Sequence, residues 1–341
     1  MQPPQPRWTE PGAFPVGPGV YRIPLPLPQD GLRAVNVYAI VEADSVVLID
    51  GGWAPEASER ALSDALAILG CELGDISRFL ITHVHRDHYT QAVALRRKYG
   101  MPISLGDGER YNLDAMVQAA ESARDIHQRG QLLRAGAAEL VRQRDLEQPT
   151  ELDLTDWEAP DTYLSDRTEL RAGSLTLQAI ATPGHTRGHL VYRDETAGLL
   201  FAGDHVLPHI TPSLGYEAAA EDGVLSNYLS SLRLLLALPD TRLLPAHGEP
   251  GASVHDRVGE LLEHHDRRLT DCLNGIGRGH STAYQLAGAL GWTRHERPFD
   301  SLDLFNRCLA VNETTAHLEV LAQRGLLAVC QDDGVDSYHP S

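Results

Sequence analysis

The chain has 341 residues, 42% of them hydrophobic, and a formal net charge of −18. That length predicts one large folding unit and a smaller one, and the acidic balance argues against a polyanionic partner; Lys98 is the only lysine among the basic residues. No stretch approaches the roughly 18 consecutive apolar residues of a membrane helix, and the four cysteines, Cys71, Cys272, Cys308 and Cys330, form neither a CxxC pair nor a disulfide framework.

Residues 1–18 read as a proline-rich arm without the basic-then-apolar layout of a secretion signal, so a cytoplasmic location is expected. β-Branched runs at "VYRI" (20–23), "VNVYAIV" (35–41) and "VVLID" (46–50) predict strands. After Gly51-Gly52, the stretch "APEASERALSDALAIL" repeats its leucines and alanines at helical spacing. "RFLITH" predicts another strand, "TQAVALRRKYG" a helix closed by Gly100, and "PISL" a strand. About 106–165 the strand signal lapses. This is expected to be a helical insertion of one or two hairpins, resting on Leu113, Met116, Leu132, Leu133 and Leu140. It would act as a lid or pocket wall over the site, the alternative being a peripheral or dimer-forming hairpin.

Strands resume at "LTLQAIAT", "HLVYRD", "AGLLFAGD" and "RLLPAHG", with the helix "NYLSSLRLLLAL" before the last. Strands following strands with helices interspersed predict two sheets covered by helices. From residue 259 onward, "STAYQLAGALGW" predicts a helix capped by Ser281 or Thr282, and "NETTAHLEVLAQRG" a second helix stopped by Gly325. A hairpin around "QDDG" follows. Helix, helix, hairpin is the order of a winged helix.

The chemistry concentrates in "ITHVHRDHYT", with His83, His85, Asp87 and His88 in six positions. His83 and His85 lie two apart after a strand, so in extended chain their rings point the same way. Asp87 and His88 follow where the chain turns into a helix. Imidazole nitrogen and carboxylate oxygen are the donors that Zn²⁺ and similar metals prefer. At this histidine content the HxHxDH spacing should arise by accident in fewer than about one in a hundred sequences. Three later residues also end apolar runs: His185 in "TPGHTRGH", Asp204 in "FAGDH" and His247 in "LLPAHG". His189 reads as a residue that hydrogen-bonds a ligand, His205 and His209 as pocket-lining or merely structural, and His264-His265 as surface or ordinary core.

HxHxDH, PGHTxGH, GD after an apolar strand and PAHG together resemble the metallo-β-lactamase superfamily in its glyoxalase II-like branch, over roughly residues 19–258. The resemblance implies an α/β fold, an αββα sandwich with the site at one edge of its two sheets. It also implies two divalent metal ions, with zinc the first choice and iron or manganese the alternatives. Metal 1 would take His83, His85 and His185; metal 2 would take Asp87, His88 and His247, with Asp204 bridging. His85 stands where the diiron flavoprotein branch carries glutamate, and Leu207 where homoserine-lactone lactonases carry tyrosine. There is no cysteine ligand of the antibiotic-hydrolysing kind. A following segment of residues 259–341 is similar to the small winged-helix-like domain of the lactamase-β-like 2 group, which includes single-strand endoribonucleases and hydroxyacylglutathione hydrolase-like proteins.

The expected function is hydrolysis of a thioester or related acyl ester of a small molecule by metal-bound hydroxide, with Asp87 orienting the hydroxide. Single-strand RNA cleavage is the alternative. A metal-responsive DNA-binding regulator is the rival class, disfavoured because "NETTAHLEVLAQRG" carries two glutamates and one arginine where a recognition helix is basic. The arginines at 124, 129 and 134 are weighed as contacts for an anionic substrate.

Overall fold

The structure, a computed structural model, describes residues 7–341 except 29–30, 44, 55, 123–125, 147–153, 220–221 and 294. The first sheet is built from β1 (Phe14–Gly17), β2 (Val20–Pro26), β3 (Ala34–Glu42), β4 (Ser45–Ile49), β5 (Ile76–Leu80), β6 (Ile103–Gly106) and β7 (Thr162–Leu164), in that spatial order. Its strands are antiparallel from β1 to β4 and parallel from β4 to β7. Helix α1 (Glu56–Ile68) makes the crossover from β4 to β5, and α2 (Arg86–Tyr99) that from β5 to β6. Alternation along the strands assigns the faces. Val37, Ala39, Val46 and Leu48 pack under Leu62 and Leu66 of α1 and Val93 of α2. Tyr38, Ile40, Val47 and Ile49 point the other way, into the space between the sheets.

The insertion contains α3 (Arg110–Ser122), α4 (Ile126–Arg134) and α5 (Ala138–Leu146), after which the chain returns to the first sheet as β7. The second sheet has β8 (Thr168–Ala172), β9 (Leu175–Ala181), β10 (Leu190–Asp194), β11 (Leu199–Gly203) and, beyond α6 (Val224–Leu236), the parallel strand β12 (Arg242–Pro245). Leu177, Ala179, Tyr192, Phe201 and Leu244 face the first sheet. On the outer face, Ile180, Val191, Leu200 and Ala202 share one apolar cluster with the helices that cover them. Helix, sheet, sheet, helix is the layering expected.

That outer layer departs from the sequence reading in three ways. First, it contains α7 (Val254–Gly277), a 24-residue helix capped by Ser253, so residue 259 lies inside a helix and not at a boundary. Second, α8 (Ala283–Ala289), the short strands β13 (Gly291–Trp292) and β14 (Arg297–Pro298), α9 (Leu304–Gln323) and the hairpin β15 (Leu327–Asp332) and β16 (Val335–Pro340) follow. They show the expected helix, helix, hairpin order with the expected Thr282 cap. Their buried residues nevertheless belong to the same cluster as the second sheet. Third, Leu132, Ala137, Leu140 and Val141 of the insertion and its turns lie in that cluster too. The insertion is therefore rooted in the outer core. Of its expected buried face, Leu113, Leu132 and Leu140 are buried and Met116 half-buried, whereas Leu133 is 39% exposed. Adjacent helical positions point about 100° apart, so Leu132 and Leu133 cannot both face the core.

Three edge strands, β1, β7 and β8, escaped the sequence reading. Residues 14–17 of the supposed arm add β1 to the sheet edge, where Pro15 is tolerated because an edge strand need not donate every N–H. Strand β8 has only alternate residues turned inward. Truncating Leu132 to alanine should cost about 2–5 kcal/mol in urea unfolding, the range for a fully buried leucine. A change below about 1 kcal/mol would show that the insertion is not part of the cooperative core.

Candidate metal centre

The ligand candidates gather past the carboxyl ends of strands, and the strands of both sheets end along one edge of the sandwich. Beyond β5 come Thr82 and His83; beyond β9, Thr182 and the loop to His185; beyond β11, Asp204; beyond β12, His247. His85 is the residue before the first turn of α2, which carries Asp87 and His88. The structure brings all seven residues together in two adjoining groups, one of His83, His85, His185 and Asp204, the other of Asp87, His88 and His247.

In the first group, His83 Nε2 lies 3.0 Å from His85 Nδ1, and His185 Nε2 lies 3.2 Å from the former and 3.0 Å from the latter. Asp204 joins the groups with its two oxygens. Oδ2 is 3.5 Å from His185 Nε2, while Oδ1 is 3.6 Å from His88 Nε2 and 3.3 Å from His247 Nε2. Asp87 Oδ2 is 3.4 Å from His247 Nε2 and 3.7 Å from His88 Nε2.

The outer nitrogen of each ring is spent elsewhere. His185 Nδ1 donates to the Ser213 carbonyl and His247 Nδ1 to that of Ala34, both at 2.8 Å, and His85 Nε2 donates to the Tyr216 carbonyl at 3.1 Å. His88 Nδ1 donates to Asp50 Oδ2 at 2.9 Å. His83 Nδ1 donates to the Thr82 hydroxyl at 3.0 Å, which in turn donates to Asp50. With those protons placed outward, the inner nitrogens present lone pairs. Three lone pairs converge in the first group. In the second, His88 Nε2 and His247 Nε2, like the Asp204 Oδ1 turned toward them, are buried with no hydrogen-bond partner. Converging acceptors and orphaned buried atoms are costly unless a cation lies among them. The donor set of five imidazoles and two carboxylates therefore fits two divalent ions. Tetrahedral zinc with bonds of about 2.0–2.1 Å sets its ligand atoms roughly 3.3–3.4 Å apart, close to the spacing seen.

Electrostatics differ between the groups. Burial, reinforced by neighbouring imidazoles, holds His83 far below the usual histidine range and His85 down at about 3. Burial also opposes charging His88, but the carboxylates of Asp50, Asp87 and Asp204 outweigh it and hold that ring up at about 10. Asp87 and Asp204 are kept below the ordinary carboxylate range by the adjacent imidazoles, against the opposing effect of burial. Three carboxylates, those of Asp50, Asp87 and Asp204, thus favour positive charge in the second group, and without an ion the His88 ring supplies it as a protonated imidazole whose Nε2 proton a bound cation would displace.

His189 is not among the converging donors. Its Nδ1 donates to Thr182 Oγ1 at 3.0 Å, and its Nε2 accepts the Asp204 backbone N–H at 3.2 Å. Replacing it with alanine should lower metal affinity by about 10–100-fold, whereas His264→Ala, on a half-buried ring away from the centre, should leave it within about twofold. Parallel chelator titrations of the two variants check both. His205 is buried edge-on to Tyr228, with ring centroids 5.0 Å apart, burial keeps it down at about 3, and it belongs to neither donor group. His209 is exposed, and His265 is core, set against His317.

Two contributors went unread in the sequence. Asp50 ends β4 in "VVLIDGG", the same polar-after-apolar pattern that marks Asp204. Glu109 is fully buried, which pushes its carboxyl up to about 7 against the pull of its hydrogen bonds. The rim is formed partly by Tyr216, whose ring is 6.2 Å from that of His85 and 5.1 Å from Phe305 of α9. Opposite in character, the Arg86 guanidinium stacks 4.6 Å above Trp53. Of the insertion's arginines, Arg129 pairs with Asp145 and Arg134 lines a small cavity with Glu319 and Asp336; position 124 lies outside the described residues.

A sandwich of two helix-covered sheets with this His/Asp pair of clusters at its edge is the architecture of one superfamily. The model of the metallo-beta-lactamase superfamily matches residues 30–247, and the chain belongs to that superfamily. It is 27% identical to a Bacillus subtilis (strain 168) protein named "Probable metallo-hydrolase YqjP" over 314 residues, 88% of this chain and 90% of that one. It superposes on the crystal structure of a beta-lactamase domain protein from Burkholderia ambifaria with a TM-score of 0.78 at 27% identity, covering 96% of this chain and 94% of that one. A shorter match, 32% identical over 115 residues and about a third of each chain, is to "Atrochrysone carboxyl ACP thioesterase AgnL7" of Paecilomyces divaricatus.

Proposed function

We propose that the protein is a metal-dependent hydrolase of thioesters or related acyl esters of small molecules, working with two divalent ions, zinc in the first place. The observation that carries this reading is Asp204, whose two carboxylate oxygens are turned to different donor groups. Such ions, when bound, acidify water toward a pKa of about 7 and polarise the carbonyl under attack. His83, His85 and His185 would hold the ion that polarises a carbonyl oxygen, while His88 and His247 would hold the neighbouring one. Asp87, half-buried where Asp204 is buried, is assigned to orient the attacking water. Tyr216 and Phe305 supply an apolar rim suited to an acyl group. The insertion serves as a wall and not as a hinged lid, since α4 and α5 are anchored in the outer core. The thioesterase named among the relatives supports the substrate class.

RNA cleavage is the second reading, and the distribution of basic residues counts against it. Arg96 and Arg97 are engaged by Glu158, Asp161 and Asp156, and Lys98 by Glu59. A DNA-reading role for α9 fits poorly with a helix buried on several sides, at Cys308, Val311, His317 and Leu321 among others. No helix among the described residues is long and apolar enough to cross a membrane.

Incubation of zinc-loaded enzyme with a panel of acyl thioesters and with single-stranded RNA tests the reading. Thioester cleavage abolished by chelation and restored by zinc is expected. Chelator-sensitive RNA cleavage with no thioesterase activity would replace it, and such cleavage should weaken steeply with salt.

A further inference from the structure

The loops that carry His83, His85 and His185 meet over one buried carboxylate, that of Glu109. It lies in the turn after β6, in "GDGERYN", far from every ligand in sequence. The turn is pressed backbone to backbone against the His185 loop. A Cβ on Gly188 would collide with the backbone nitrogen of Glu109, and one on Gly106 with the carbonyl of Gly188. From this position the carboxylate accepts three hydrogen bonds. One comes from the Thr186 hydroxyl, beside His185. Another comes from the backbone N–H of Val84, between His83 and His85. The third comes from Asn112 Nδ2 at 2.7 Å. Asn112 extends the network, because its Nδ2 also donates to Glu217 at 2.7 Å and its Oδ1 accepts from the backbone of Ala219 at 3.0 Å. Glu217 in turn accepts the Arg187 N–H at 2.9 Å. The segment holding Glu217 is the one whose Ser213 and Tyr216 carbonyls orient His185 and His85.

We infer that Glu109 is a positioning residue for the first metal position: it fixes the Val84 and Thr186 segments relative to each other, and so sets how His83, His85 and His185 converge. The inference rests on the two-ion reading of the site and is independent of the substrate. The geometry makes the requirement chemical and not merely volumetric. Two of the partners, the Val84 N–H and the Asn112 amide nitrogen, can only donate, and the Thr186 hydroxyl donates as placed, an arrangement matched in full by a carboxylate. Glutamine has almost the same shape, yet its NH₂ can be met only by the Thr186 hydroxyl turned round to accept, so the hydrogen bond that Thr186 now donates is lost. None of the three contacts reaches Asp87, His88 or His247, so the loss should fall on one ion of the two.

The test is the metal content of dialysed protein, with single-ion affinities from chelator competition. Wild type is expected to hold two ions per chain, and a wild type that held none would remove the two-ion reading and this inference with it. Glu109→Gln should retain one ion firmly and bind the other about 10–100-fold more weakly. Thr186→Val, which removes one donor and conserves shape, should weaken the same ion by a smaller factor. It decides the matter if Glu109→Gln does not fold. Background variants identify the ion. Added to His247→Ala, which disables the second position, Glu109→Gln should weaken the ion that remains. Added to His185→Ala, which already disables the first, it should change nothing further. Equal weakening of both ions, or unchanged binding in the substitution that folds, would overturn the inference.

Discussion

Asp204→Ala is expected to lose most of its metal and to lower turnover by at least about 10³-fold, since an ion's charge stabilisation is worth several kcal/mol at 1.36 kcal/mol per decade. Among the described residues, this side chain is the carboxylate turned to both donor groups, through Oδ2 on one side and Oδ1 on the other. Without it, five imidazoles and Asp87 are left to hold two dications at close quarters. Metal analysis and turnover should be measured on the same preparation. Full retention of two ions with near-normal turnover would show that Asp204 does not join the two positions.

Asp50→Ala should produce the second-largest loss, although Asp50 touches neither group of inner donors. Its carboxylate accepts from the Thr82 backbone N–H at 2.8 Å, from the Thr82 hydroxyl at 3.0 Å and from His88 Nδ1 at 2.9 Å. Through Thr82 it also determines which nitrogen of His83 carries the proton. One substitution therefore loosens a ligand in each group, and a loss of about 10–100-fold in affinity for each ion is expected. The metal-free protein should also lose about 3 kcal/mol in urea unfolding, because buried donors lose a charged acceptor. Asp50→Asn, which keeps one acceptor oxygen, should fall between wild type and alanine. Unchanged affinity for both ions in Asp50→Ala would show that the rings are held in place by packing alone.

The layers and the ligands were legible for the same reason. Buried strands in a two-sided sandwich read as β-branched runs, and a histidine or aspartate that ends such a run stands out. HxHxDH is local enough to recognise without any knowledge of the fold. Asp50 obeyed that rule but was absorbed into the Gly51-Gly52 turn. Glu109 had no local signal at all, because a charged residue in a glycine-rich turn reads as surface. It is buried only because Gly188, in a loop nearly eighty positions later, allows the two backbones to touch. Helix α7 was hidden differently: Val254, Val258, Leu261, His265, Leu269 and Cys272 form its buried stripe, but acidic, basic and histidine residues between them masked the spacing. The shared outer core could not be read either. That α4, α5 and α9 pack on one sheet is a matter of tertiary contact between segments more than 150 residues apart, such as Gln143 and Arg307.

His247 rests on the carbonyl of Ala34, 213 residues earlier, and Asn36 clasps the carbonyls of Pro245 and Gly248 on either side of it. On a translating ribosome this makes assembly of the centre a matter of timing. At about 5–20 residues per second, the interval between the emergence of the His83–His88 loop and that of His247 is roughly 8–30 s. Throughout that interval the nascent chain displays three imidazoles and a carboxylate on one short loop, with neither His247 nor, at first, His185 to complete a coordination sphere. An open chelator of this kind follows raw affinity, which favours copper over the other first-row divalent ions. Which metal a centre assembled in this order would take up therefore depends on what the cell keeps away from the ribosome as well as on the finished cage.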